Sequence, residues 1–255
     1  MTGNSIQSPS GHGGQQWNSD SISNLLSKDD PSQGKLKENL ASLLRTEAEA
    51  SASRLSEWIV KQINEATKES IVQEVIEHHP YLLVSRNPIL GNSLISQLPL
   101  GADLIPDFAY VEAYDHQIFL YLVEIERPTM RIFQDKGDFS QPFNVAMQQL
   151  ADWHLWARKY QTLLRDMLSD LWPNKNPPQT YIEPVCRLIA GRSNEVDTAQ
   201  KRSKLEAKIA NLGANIFFRT YDDLIKDLPQ ICFACIGNPD GLKTVSYKRQ
   251  GLSEK

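Results

Sequence analysis

Between Leu104 and Glu126 the hydrophobic period of the chain drops from about 3.6 to about 2, and this change limits the available folds more than any other feature. LIPDFAYVE (Leu104–Glu112) and QIFLYLVEIE (Gln117–Glu126) read as two strands, and Ala113–His116 between them is a hairpin-length connection. Side chains alternate across a strand. Glu124 and Glu126 therefore share a face with Leu120 and Leu122, while Val123 and Ile125 share the other with Phe119 and Tyr121. Two carboxylates leave one strand side by side, and Asp107, on the neighbouring strand, can meet Glu124 across the ladder.

Helical periodicity surrounds this hairpin. Leu36, Leu40, Leu43 and Leu44, then Leu55, Trp58, Ile59 and Ile63, fall at spacings of three and four, predicting an amphipathic helix over Lys35–Ala66 with a break near Ala50–Ser53. A second helix is expected from Lys68 to His78, just before Pro80. After Pro128, a polar loop (TMRIFQDKGDFSQP) leads to a long helix from Pro142 or Phe143 to Leu171. Its core stripe is Ala146, Leu150, Trp153, Ala157, Tyr160 and Leu164, with Gln149 at the margin. Tyr181–Gly191 reads as a buried strand, Asp197–Gly213 as a helix with a basic face, Ile216–Arg219 as a short strand and Asp222–Leu228 as a last short helix. Residues 1–34, rich in Ser, Gly, Gln and Asn, are expected to form a disordered leader, and residues 239–255 a polar basic tail. The order describes an α/β core, a mixed sheet flanked by helices, at residues 71–238 behind an amphipathic helical segment at 35–70.

Composition narrows the function classes. With 27 basic and 31 acidic residues the net charge is −4, which argues against a globally basic nucleic-acid binder and leaves phosphate contact to local patches. No apolar run reaches bilayer length and no signal-peptide pattern opens the chain, so a cytoplasmic protein is expected, without membrane contact. Cys232 and Cys235 form a CxxC that lacks a second pair or a nearby histidine, so two semi-buried thiols are the simpler account than zinc. No GxxxxGK[ST] loop is present, and His154 has no Ser or Cys partner in the sequence that would make a hydrolase triad.

The residues with chemistry to offer are Asp107, Glu124 and Glu126. A hard cation such as Mg²⁺ or Mn²⁺ needs only one or two carboxylates and keeps most of its water, so Asp107 and Glu124 suffice for a metal site. The structural alternative is an acid pair at a strand end that is solvated, or that is met by Arg127 or Arg131.

From about Gln73 to Leu228 the chain resembles the nuclease domain of the Shedu family, bacterial anti-phage defence proteins of the PD-(D/E)xK, restriction-endonuclease-like fold. The pieces that carry the resemblance are HHPYLL with NPIL, LGADLIPDFAY, LVEIERP, QQLADWHLW, IAGR and TYDDLI, in that order. The resemblance implies a metal-dependent DNA endonuclease in which Asp107 and Glu124 are the metal-binding acids. Gln149, four residues before Trp153, matches the Gln-x-x-x-aromatic helix motif of RecB-like relatives, in which the glutamine supports the site.

The departure from the superfamily pattern is Glu126, where that pattern has lysine. Three outcomes stand open. Glu126 is a third metal ligand or a general base, or a cation from Arg127, Arg131 or Lys136 takes the lysine's role, or the site is inactive and the domain binds nucleic acid or protein only. Arg127, Arg131 and Lys136 follow the carboxylates directly and are the expected phosphate contacts, whereas Lys201, Arg202, Lys204 and Lys208 read as an ordinary solvated helix face. The expected partners are DNA and further copies of the chain.

Overall fold

The computed structural model describes residues 31–84, 92–101, 103–114, 117–172, 175, 177–213, 215–226, 228, 230–232, 242–248 and 251–254. The chain divides into two units, 1–47 and 48–255. Of the first unit, residues 31–47 are described and are helical; they begin α1 (Pro31–Glu65) and expose Leu43 and Leu44. The helix runs without the break expected at Ala50–Ser53. Its small residues stay helical, and Ser53 donates to Glu57 one turn on while Arg54 donates back to Ser51.

The second unit is built on a seven-stranded mixed sheet. After α2 (Glu69–His78) come β1 (Ser93–Ser96), β2 (Phe108–Tyr114) and β3 (Gln117–Ile125). Next are α3 (Gln141–Lys159), α4 (Gln161–Met167), β4 (Ile182–Ile189), α5 (Ala199–Leu212), β5 (Ile216–Arg219) and α6 (Tyr221–Ile225). The strands β6 (Lys243–Lys248) and β7 (Gly251–Glu254) close the series, and the order across the sheet is β5-β4-β3-β2-β1-β6-β7. The pairs β1–β2, β2–β3 and β6–β7 are antiparallel, whereas β3–β4, β4–β5 and β1–β6 are parallel.

The alternation read along β3 holds. Leu120 and Leu122 enter a core with Ala109, Val111, Phe143, Ala146, Leu150 and Trp153. Val123 and Ile125 enter a second, with Phe108, Tyr110, Ile59 and Ile63 of α1, Val72, Val75 and Ile76 of α2, and Tyr221 and Leu224 of α6. Each sheet face thus buries its own helical layer, as a sheet apolar on both sides requires.

Several boundaries differ from the sequence reading. The strand expected from Leu104 begins only at Phe108; Pro106 has no N–H for a ladder, and Leu104 is instead tied to Leu100 by a 2.8 Å main-chain bond. The helix expected to reach Leu171 stops at Tyr160, whose φ and ψ of −108° and 47° leave the helical region. Gln161 stabilises the break: its side chain donates to Ala157 O and Ile182 O and accepts from the Ile182 N–H, which ties the joint to the start of β4. The TMRIFQDKGDFSQP stretch is no free polar loop, because Met130, Ile132 and Phe133 are buried and Phe133 pairs with Phe139. The strands β6 and β7 lie where a polar basic tail was expected. Cys186 and Cys232 are buried free thiols, and Cys235 lies outside the described residues, as do residues 1–30 of the expected leader.

Gly191, just beyond β4, has φ +62°, and a Cβ there would lie 2.8 Å from the Met130 carbonyl oxygen. Gly191→Ala is expected to cost about 2–4 kcal/mol, combining a left-handed backbone with overpacking against main chain. Denaturant unfolding measures it; a midpoint equal to wild type would contradict the reading.

Candidate functional site

The site lies where β2 starts and β3 ends. The connection is shorter than the Ala113–His116 read from sequence, since β2 runs on to Tyr114 and pairs it with Gln117; the register Phe108↔Val123, carried one residue further, places Asp107 opposite Glu124. Because the ladder has no residue to offer beyond Phe108, the Asp107 side chain takes the next donor: Oδ2 accepts the Ile125 N–H at 2.7 Å. Its other oxygen, Oδ1, accepts from Gln73 Nε2 of α2 at 2.6 Å, and the same amide donates to Glu69 Oε1 at 2.8 Å. The Asp107 carbonyl accepts from the Gln97 N–H at 2.9 Å, so main chain and side chain are both held.

Asp107 and Glu124 lie close enough for each carboxyl group to act on the other's ionisation. Like charges placed so close disfavour one another. Burial pushes Asp107 up, and the Glu69 and Glu126 charges add to it, against the opposing Ile125 N–H. Burial also pushes Glu124 up, followed by Asp107, Glu126 and Glu69. Glu126 is raised by burial and by Glu69, with Arg127 opposing. The four acids therefore share one field, in which negative charge is undercompensated.

Glu126 sits one residue past β3 with its main chain clamped on both sides. Its N–H donates to Ile189 O at 2.9 Å, and its carbonyl accepts the Tyr221 hydroxyl. The neighbouring pieces hold that clamp in place. Tyr221 N–H donates to Gly191 O at 3.1 Å, Arg192 pairs with Asp222 at 2.7 Å, and Thr220 and Asp223 form a capping box at the start of α6. IAGR and TYDDLI thus act as a brace behind the last residues of β3.

The other expected residues are less closely joined. Gln149 is half-buried on α3, and no hydrogen bond links it to Asp107, Glu124 or Glu126; Trp153, four residues on, is a core residue. Arg127 is exposed, and its carbonyl closes a turn through the Met130 N–H, while its charge acts on Glu126 without an ion pair among the described residues. Arg131 is engaged with Asp135 at 2.7 Å, and Lys136 is exposed. Arg131 and Lys136 line a cleft of about 410 Å³ with Phe133, Gln134, Asp135 and Ser140. The basic face of α5 is not merely solvated: Lys204 donates to Gly137 O at 2.9 Å, and Lys201 and Lys208 lie over the Phe133 and Phe139 rings. Among the described residues, no group of three or more His, Cys, Asp or Glu is arranged to hold one metal ion.

Glu69, Gln73 and Tyr221 were not singled out from sequence. For the first two a signal existed. Residues 69, 72, 73 and 76 fall on one helical stripe, so Glu69 and Gln73 are polar interruptions of the face that buries Val72 and Ile76. The boundary expected at residue 70 leaves Glu69 outside the core, whereas the structure joins it to Asp107 through Gln73.

A mixed sheet between helical layers, presenting paired half-buried acids where two central strands meet, defines an α/β protein consistent with a nuclease-like fold. Residues 66–225 match the family model described as Shedu protein SduA, C-terminal, and the chain belongs to the Shedu family. No curated protein matches it. No helix among the described residues is long and apolar enough to cross a membrane.

Proposed function

We propose that this chain is a metal-dependent DNA endonuclease with a PD-(D/E)xK core, acting in the cytoplasm as a homo-oligomer in anti-phage defence. The observation that carries the reading is the Asp107–Glu124 carboxyl pair, half-buried at adjacent strand ends with its charge uncompensated by any Lys or Arg ion pair among the described residues. Two such carboxylates are the donor set that Mg²⁺ or Mn²⁺ takes, completing its shell with water and a phosphate oxygen. The ion would supply Lewis acidity and a more acidic bound water. Asp107 would hold it with an orientation set by Ile125 N–H and Gln73, and Glu124, held toward its protonated form, would be the second ligand once deprotonated. Glu126, raised by burial and fixed through its main chain, is suited to take a proton from the attacking water. Gln149 would support the site from α3, and Arg127, Arg131 and Lys136 would contact substrate phosphates. Membership of the Shedu family and the resemblance of its nuclease domain support the same reading.

A second reading has its own observation. Among the described residues no three-ligand group is formed, and Glu126 stands where the superfamily pattern has lysine, which fits a nuclease fold kept for binding alone.

Incubation of the purified chain with plasmid, linear DNA and RNA, in Mg²⁺, Mn²⁺ or EDTA, separates the two. Metal-dependent cleavage of DNA that EDTA abolishes is the expected result. Retention of DNA without cleavage under any condition selects the binding module instead.

A further inference from the structure

We infer that Gln73 is a positioning residue of the proposed metal site, yoking Glu69 of α2 to Asp107; this rests on the nuclease reading above. The geometry is specific. One amide nitrogen donates to Glu69 Oε1 at 2.8 Å and to Asp107 Oδ1 at 2.6 Å, so both of its hydrogens are spent on carboxylates. The reverse amide orientation would set a carbonyl oxygen against two carboxylate oxygens, so the hydrogen-bond network allows only this one.

Two consequences follow from the chemistry of an amide. First, Asp107 is gripped from both sides, by Gln73 on Oδ1 and by the Ile125 N–H on Oδ2, which leaves each oxygen a lone pair for a cation while removing the carboxylate's rotational freedom. Second, Gln73 is neutral. A Lys or Arg in its place would orient Asp107 as well but would cancel the negative charge that draws the ion, whereas the amide orients without competing. Gln73 also makes α2 part of the site, since it is the link through which Glu69 is held beside Asp107 and contributes to the field on Asp107, Glu124 and Glu126.

Calorimetric titration with Mn²⁺ tests this on the full chain, comparing wild type with Gln73→Leu, Gln73→Lys and Val72→Ala. Thermal unfolding is followed in EDTA alongside. Gln73→Leu should weaken Mn²⁺ binding about 10- to 100-fold, the usual cost of losing a group that orients a ligand, and Gln73→Lys should weaken it more. Val72→Ala, which thins the core beside Gln73, should lower the unfolding temperature with Mn²⁺ affinity within twofold of wild type. If Gln73→Leu fails to fold, Gln73→Met serves in its place. Wild-type affinity in the leucine or methionine variant overturns the role of Gln73 and leaves the metal site standing; a wild type that binds no Mn²⁺ overturns both.

Discussion

Glu124→Gln is expected to lower DNA cleavage by about 10³-fold or more, equivalent to about 4 kcal/mol of transition-state stabilisation, and at the same time to make the metal-free protein more stable at pH 8. The two effects have one cause. In the folded protein Glu124 is held toward its protonated form by burial and by the neighbouring acids. A glutamine amide keeps the shape while removing a half-buried negative charge, so it imitates the protonated acid at every pH. The expected gain is about 1–3 kcal/mol, and each kcal/mol raises the unfolding temperature of a chain of this size by about 2–4 °C. Asp107→Asn should lose cleavage to the same degree without the stability gain. Both Asp107 oxygens are acceptors, from Gln73 and from the Ile125 N–H, so an asparagine NH₂ would face a donor on one side. Single-turnover cleavage and differential scanning calorimetry on the two variants measure both properties. Cleavage at wild-type rate by Glu124→Gln would remove Glu124 from the mechanism.

The stability of the metal-free protein should fall as pH rises above the ordinary carboxylate range, an unusual direction for an acidic protein. Asp107 and Glu124 both have folded values raised by burial and by the neighbouring acids, so the folded state binds more protons than the unfolded chain between the two sets of values. Unfolding stability then decreases with pH across that window. The contribution is complete below the unfolded carboxylate values and is lost as pH rises through the folded ones. His79 acts in the opposite sense at lower pH. Burial lowers it from 6.5 to about 4, so the unfolded chain binds the extra proton between those values, and stability rises with pH there. A maximum in mildly acid solution is the net expectation. Unfolding temperatures at pH 5.5, 7 and 8.5, in EDTA and in Mg²⁺, check it: Mg²⁺ should raise the value at pH 8.5 far more than at pH 5.5. Glu124→Gln should flatten the alkaline limb and remove most of the Mg²⁺ effect. An alkaline limb equally steep in Glu124→Gln would place its origin elsewhere.

These expectations depend on features that differ in how far they can be read without the fold. The alternation along β3 and its antiparallel pairing with β2 are local, and a strand with Leu120, Leu122, Val123 and Ile125 has only one way to bury both faces. That Asp107 and Glu124 leave neighbouring strands followed from the hairpin, but their direct opposition depends on a register two residues away from the one the Ala113–His116 connection implies. The helices on either side were likewise evident from period, apart from the break expected at Ala50–Ser53, which the structure does not have, and the joint at Tyr160, which depends on Gln161 reaching a strand 21 residues further on. β1, β6 and β7 were not evident. Their segments are short and lack a strict period, and β1 joins β6 in parallel across most of the chain, Ser93 with Lys243, through a pairing that packing alone selects.

The chemical site divides in the same way. The sequence by itself determined that Asp107 and the Glu124–Glu126 pair leave neighbouring strands of one hairpin, because backbone geometry dictates side-chain direction within it. Only the tertiary structure decided what surrounds them. It brought Glu69 and Gln73 in from α2, clamped Glu126 through Tyr221 and Ile189, committed Arg131 to Asp135, and laid Lys201, Lys204 and Lys208 against the Phe133–Phe139 segment. Most of those contacts join residues 34 to 95 positions apart, and the rest give one partner priority over another. Competition for burial and for hydrogen-bond partners settles such choices, and a local pattern carries no record of it.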